Sequence, residues 1–294
     1  MSKIKGIYAA SMCLINDDLT LNVRKTIDHA EMIIDNGCHG AAIFGSTGQA
    51  QLLSIPEKIE LLNNLALSKY KDKYIIGTGL NSLGETINLM KVANSLNFKK
   101  FLIMPPAFYN YEDNNVINFY TKIIEAHPKC EIVLYNFEKL CGYKFSVECV
   151  QELVKRFPEQ IIGVKDSSYN LFENLEIDNF SVLPGSESKL LKGLELGCSG
   201  IITATCNVTS ALARKVYDDF IEKKEQTVNQ KLCDVRNIFE KFNLISGLHA
   251  YYSENDIIYK NVLPPLSILD SKEEKELRDN LEKLNFSKKS TMVA

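Results

Sequence analysis

Short apolar runs and longer amphipathic stretches alternate through most of the chain. Eight runs have strand length: 6–12, 40–44, 74–79, 100–104, 131–136, 161–165, 180–184 and 200–204. Most are near-continuously apolar rather than alternating, the pattern of strands buried on both faces of a parallel sheet. Between them, stretches such as 23–36, 56–68, 83–96, 112–126, 147–156 and 188–196 carry apolar residues at helical spacing. Pro56 follows Ser54 near one helix start, as N-terminal capping chemistry prefers. Gly37 and Gly197 follow helices, where a left-handed residue often ends them. After about residue 211 the strand pattern stops. Two helical stretches, 215–242 and 272–284, flank a looser segment with Leu263-Pro264-Pro265. Eight strand–helix units in series predict an α/β fold of the (β/α)8 TIM-barrel kind over residues 1–222. Residues 223–294 are then a helical C-terminal region packed on the barrel, with the small, polar residues 287–294 expected to fray.

Composition narrows the function classes. In 294 residues, 45% are hydrophobic and 24% charged, an ordinary balance for a globular domain with a sizeable core. The net charge of −3 implies no polyanionic partner, so no nucleic acid is expected. No apolar run approaches the roughly 20 residues of a membrane span. The start, Met1-Ser2-Lys3-Ile4-Lys5, lacks the apolar stretch of a signal peptide, so a cytoplasmic location away from membranes is expected. The eight cysteines form no Cys-x-x-Cys pair, and Cys13, Cys130, Cys198 and Cys206 lie in or beside strand-like runs. They read as buried, reduced thiols rather than as disulfides. The four histidines are scattered without zinc-type spacing, so no metal is expected.

In such a barrel, chemistry gathers where strands end and the following loops begin. The second strand leads into Gly45-Ser46-Thr47-Gly48-Gln49, the fourth into Pro105-Pro106-Ala107-Phe108-Tyr109, and the fifth ends at Tyr135-Asn136. The sixth ends at Lys165 and runs on as Asp166-Ser167-Ser168, the seventh leads into Gly185-Ser186-Glu187, and the eighth into Thr203-Ala204-Thr205-Cys206-Asn207. Burial disfavours an ammonium ion and favours the neutral amine, which can attack a ketone and form a Schiff base. Lys165 can be that amine. Tyr135, one strand away, can relay protons, and the Ser46-Thr47 loop can hold a carboxylate with its hydroxyls and N–H groups. Each residue alone has an ordinary structural explanation: a turn, a half-buried barrel tyrosine, a solvated lysine or glutamate. Their common placement at strand ends is what sets them apart. A protonated imine withdraws electrons by itself, so the chemistry needs no cofactor.

These pieces resemble the dihydrodipicolinate synthase / N-acetylneuraminate lyase family of pyruvate-dependent class I aldolases. The matching motifs are Gly45-Ser46-Thr47-Gly48, Tyr135-Asn136, Gly163-Val164-Lys165-Asp166 and Gly200-Ile201-Ile202-Thr203-Ala204-Thr205-Cys206-Asn207, with Gly77-Thr78-Gly79 and Pro105-Pro106. The resemblance implies that Lys165 forms the imine with pyruvate or another 2-keto acid, that Tyr135 shuttles protons, and that Ser46 and Thr47 bind the carboxylate. It also implies that the Ile202 carbonyl lies near the bound pyruvyl group and that the chain assembles as a dimer of dimers. Two departures bear on the substrate. Where the lysine-pathway synthases carry an arginine for the aldehyde's carboxylate, this chain has Leu140, and Glu138 replaces a proline. The tyrosine that a synthase lends across its dimer corresponds to Phe108, or to Tyr109 with a one-residue shift. Ser167 and Glu187 stand where lyase-type members contact a polyhydroxylated substrate. The expectation is therefore a lyase or aldolase acting on a 2-keto-3-deoxy sugar acid or sialic-acid-like substrate. The alternatives are a dihydrodipicolinate synthase with a non-standard clamp, a catalytically idle binding or regulatory protein, and, weakest, a metal-dependent aldolase.

Overall fold

The computed structural model describes residues 4–286. Eight strands appear where apolar runs predict them: β1 (Gly6–Ala10), β2 (Gly40–Ile43), β3 (Tyr74–Gly77), β4 (Lys100–Ile103), β5 (Glu131–Asn136), β6 (Ile161–Asp166), β7 (Ser181–Pro184) and β8 (Gly200–Thr203). They form one parallel sheet in the order β7 through β1 to β8. Its two edges meet where the Ser199 N–H donates to the Val182 carbonyl at 2.9 Å, so the barrel is nearly closed. One face of the strands fills the interior, with Ala42, Ile75, Leu102, Val133, Ile162, Leu183 and Ile202 in one cluster. The other face packs beneath the helices.

The helices are α1 (Val23–Asp35), α2 (Ile55–Leu65), α3 (Leu83–Ser95), α4 (Asp113–Ala126), α5 (Glu138–Cys141), α6 (Val147–Arg156), α7 (Leu190–Glu195), α8 (Cys206–Ile221), α9 (Asn229–Phe239), α10 (Leu244–Ser253) and α11 (Ser271–Lys283). Ser54 and Glu57 cap the start of α2 reciprocally, with Pro56 in its first turn. Gly37 and Gly197 take left-handed backbone after α1 and α7. The first strand stops at Ala10 rather than at residue 12, because the Asn207 side chain accepts from the Met12 N–H in place of a strand partner.

The helical stretch 215–242 is two helices. Helix α8 starts directly after β8, and the polar 222–228 segment, with Lys223 in left-handed backbone, separates it from α9. Helix α10 has no counterpart in the sequence reading. Its interior holds Gly247, a poor helix former, and packing supplies what propensity lacks. Val235, Ile238 and Phe239 of α9 and Leu248 of α10 bury against Met12, Leu14 and Val208. Below them His29 of α1 bonds Tyr259 and Asn207, both at 2.8 Å. These contacts hold α9 and α10 beside the C-terminal ends of the strands. Residues 287–294, expected to fray, lie outside the described residues.

All eight cysteines are free. Seven are buried and Cys233 is half-buried. Burial pushes the Cys13 and Cys198 thiols up to about 12. A thiol-disulfide reagent should therefore label at most Cys233 in the native protein and all eight cysteines after denaturation. Rapid native labelling at several sites would contradict this packing.

Candidate active site

Lys165 enters the barrel because β6 carries an irregularity. Ile132 of β5 pairs with Ile161, but Val133 pairs with Gly163, so the register slips by one residue there. Ile162 faces the interior and Val164 the helices, and the slip turns Lys165 inward again. Gly163 is required at the slip, since a Cβ there would stand 2.6 Å from the Ser181 carbonyl oxygen. The resulting pairing sets Lys165 directly beside Tyr135. The Lys165 side chain is 3% exposed, and its Nζ stands 4.0 Å from the centre of the Tyr135 ring. The Nζ lies over the Tyr135 ring face, and among the described residues no carboxylate forms an ion pair with it.

The Tyr135 hydroxyl points on to Ser46, 3.2 Å from its Oγ. Ser46-Thr47-Gly48 forms a single 3-10 turn. Its Gly48 and Gln49 N–H groups donate to the Gly45 and Ser46 carbonyls, which leaves the Ser46 and Thr47 N–H groups ahead of those bonds. Phe44, in left-handed backbone, swings the chain from β2 into the turn. Its carbonyl oxygen passes so close to Gly77 that a Cβ there would lie 2.4 Å away. The next residue after Lys165 is structural: the buried Asp166 carboxylate accepts from the N–H groups of Tyr169, Leu171 and Phe172, and from Asn136 Nδ2 at 2.8 Å. Those bonds fix the loop that carries Ser167 and Ser168.

Ser46, Thr47, Tyr135, Lys165, Ser167 and Leu140 all line one cavity of about 540 Å³, a size that suits a small molecule. A more apolar cavity of about 420 Å³ shares Ser46, Tyr135 and Leu140 and runs towards the loops after β3 and β4. Ile202 is fully buried in the barrel interior with Tyr135. Two other predicted residues stand elsewhere. Tyr109 is 74% exposed and Phe108 more so; their rings meet each other, and neither lines either cavity.

Glu187 is fully buried and is not on the cavity wall. Its carboxylate accepts from Thr203 Oγ1 at 2.9 Å, from Thr209 Oγ1 at 3.1 Å and from Arg236 Nη1 at 3.3 Å. The residue that does reach the wall is Arg236 of α9, which sequence reasoning missed. Its Nη1 also donates to Thr203 and Thr205 Oγ1, and its Nε donates to Glu240 Oε1 at 2.7 Å. Burial alone would lower the guanidinium's pKa; the Glu187 and Glu240 carboxylates more than reverse this, so it is raised. Nothing in the local sequence distinguishes Arg236 from a surface arginine of an amphipathic helix. The only hint is the uncompensated Glu187 some fifty residues earlier.

Comparison with known proteins bears on the family and the fold. The family model described as the dihydrodipicolinate synthetase family matches residues 3–284. An uncharacterised DapA-like lyase of Chloroflexus aurantiacus is 25% identical over 293 residues, covering 97% of this chain and 98% of that one. An N-acetylneuraminate lyase of Pasteurella multocida is 31% identical over 231 residues, 74% of this chain and 75% of that one. In fold, the chain is similar to the solved 4-hydroxy-tetrahydrodipicolinate synthase of Methylacidiphilum fumariolicum SolV, with a TM-score of 0.88 at 21% identity over 99% of both chains.

Removing Arg236 leaves Glu187 buried without a cation. Arg236→Ala should lose about 3–5 kcal/mol in denaturant unfolding, and adding Glu187→Gln should recover a large part of it. A loss below about 1 kcal/mol would show that the pair is not the buried ion pair described.

Proposed function

We propose a specific activity for this chain, which belongs to the dihydrodipicolinate synthetase family: a cofactor-independent class I lyase that works through a Lys165–pyruvyl Schiff base. That it is a carbon–carbon lyase follows from the family and its named relatives. The observation that carries the mechanism is the buried Lys165 amine beside Tyr135, whose hydroxyl meets Ser46 on the floor of a substrate-sized cavity.

The Lys165 Nζ, as the neutral amine, attacks the C2 carbonyl of a 2-keto acid. Loss of water from the carbinolamine gives a protonated imine. In the cleavage direction a base takes the proton from the C4 hydroxyl, the C3–C4 bond breaks, and its electron pair flows into the imine to give an enamine. An aldehyde leaves. Protonation at C3 and hydrolysis of the imine release pyruvate and restore the amine. Tyr135 is the group placed to move these protons, with Ser46 as its hydrogen-bond partner. The Ser46 and Thr47 hydroxyls and N–H groups take the substrate carboxylate, and the Ile202 carbonyl lies near the pyruvyl group. Leu140 at the rim offers no fork for a second carboxylate, which favours a sugar-acid lyase over condensation with aspartate semialdehyde. The synthase activity is the alternative, and the exposed Lys139 on the wall is the cation that supports it, since Arg236 already lies between two carboxylates. The same reading takes the enzyme to act in the cytoplasm as a dimer of dimers, with the exposed Phe108–Tyr109 pair meeting a second copy.

Pyruvate and borohydride should add one reduced pyruvyl group to the native chain and none to Lys165→Ala, as read by intact mass. Absence of the adduct in the native chain would overturn the mechanism. Tyr135→Phe should fold normally and lose about a hundredfold or more in kcat. An unchanged kcat would remove Tyr135 from proton transfer.

A further inference from the structure

Of the two residues expected at the far end of the substrate, Ser167 lines the cavity and Glu187 is buried behind Arg236. The polar side chains that do reach the cavity on the β7–β8 side come from the C-terminal helices: Arg236 of α9, Glu240 at its end, and Asn243, which caps α10. We infer that Arg236 and Glu240, one helical turn apart, form the subsite that selects a neutral, polyhydroxylated substrate tail. The inference rests on the imine reading of Lys165 and goes beyond it by naming what the far wall recognises.

The geometry supplies both halves of a hydroxyl grip. Arg236 Nε is held by Glu240, and Nη1 by Glu187, Thr203 and Thr205. Its Nη2 donates to no described residue, and since Arg236 lines the cavity we assign this group to the ligand oxygen. Glu240 is half-exposed and bonds Arg236 through Oε1, so Oε2 remains to accept a hydroxyl proton. One donor and one acceptor side by side match two neighbouring hydroxyls, each of which both donates and accepts. Ser167, Ser168 and Asn243 add neutral polar groups to the same wall.

Charge argues against a carboxylate in this place. One guanidinium lies between two carboxylates, so the cluster is already net negative, and an anionic tail at Nη2 would face the neighbouring Glu240 carboxylate. The remaining charged side chains on the wall, Glu138 and Lys139 of α5, are exposed, and Glu138 pairs with Lys144 at 3.3 Å. A hydroxylated tail meets no such repulsion.

Three 2-keto acids that share the reacting centre and differ in the tail test this by pyruvate release: 2-keto-3-deoxygluconate (hydroxylated), 4-hydroxy-2-oxopentanoate (a methyl group) and 4-hydroxy-2-oxoglutarate (a carboxylate). The native enzyme should prefer the first by kcat/KM. Glu240→Gln should cut its preference over the methyl compound by about tenfold, as for one lost bond to a charged acceptor, and raise the relative rate with the carboxylate compound. Arg236→Lys, which keeps the buried charge, should reduce the same preference. Three results would overturn the subsite: a native preference for the carboxylate compound, variants that slow all three substrates alike, or no pyruvate from any of them. The borohydride adduct separates the two levels of the argument. With the adduct present, such results remove the subsite alone; with it absent in the native enzyme, the imine reading falls and the subsite with it.

Discussion

The site depends on the one-residue slip between β5 and β6. Side chains in a strand alternate between faces, so a run that buries Ile162 in the interior would, if regular, direct Lys165 outward under the helices. The slip at Gly163 restores Lys165 to the inside and sets it level with Tyr135. Everything else is arranged around that pairing. The β2 turn brings Ser46 to the Tyr135 hydroxyl, and the Asp166 carboxylate pins the loop that follows. The lysine is buried with an aromatic face as its neighbour, and among the described residues no carboxylate pairs with it.

The C-terminal helices complete the cavity from outside the barrel. Helix α9 is anchored by Val235, Ile238 and Phe239, while Arg236, between them in sequence, turns to the β7–β8 loops. Its buried pair with Glu187 ties the helix to the barrel, and its link to Glu240 leaves a mixed donor and acceptor edge on the wall. One side chain thus both anchors the helix and lines the cavity, so substitutions that loosen the helix will also alter the cavity.

The strands were legible because barrel strands buried on both faces read as plain apolar runs, and each such run in this chain is a strand. Lys165, Tyr135 and Ser46 were legible because strand ends are where a barrel places chemistry, and those three do meet. The slip that makes them meet was hidden, since Gly163 looks like any glycine in an apolar run. Helix α10 was hidden for the opposite reason, a weak local preference overridden by packing. Glu187 and Arg236 show the limit most clearly. Each has an ordinary sequence context, and only their approach across about fifty residues decides that one is buried and the other lines the cavity. Tyr109 stands on the surface of the single chain and lines neither cavity that Tyr135 lines.

The most direct measurement is a crystal structure of the native enzyme with pyruvate. The account predicts a covalent link between Lys165 Nζ and C2 of the ligand, with the carboxylate on the Ser46-Thr47 turn and the Tyr135 hydroxyl beside the reacting carbons. Pyruvate bound without that link, or held away from the β5–β6 pairing, would contradict it.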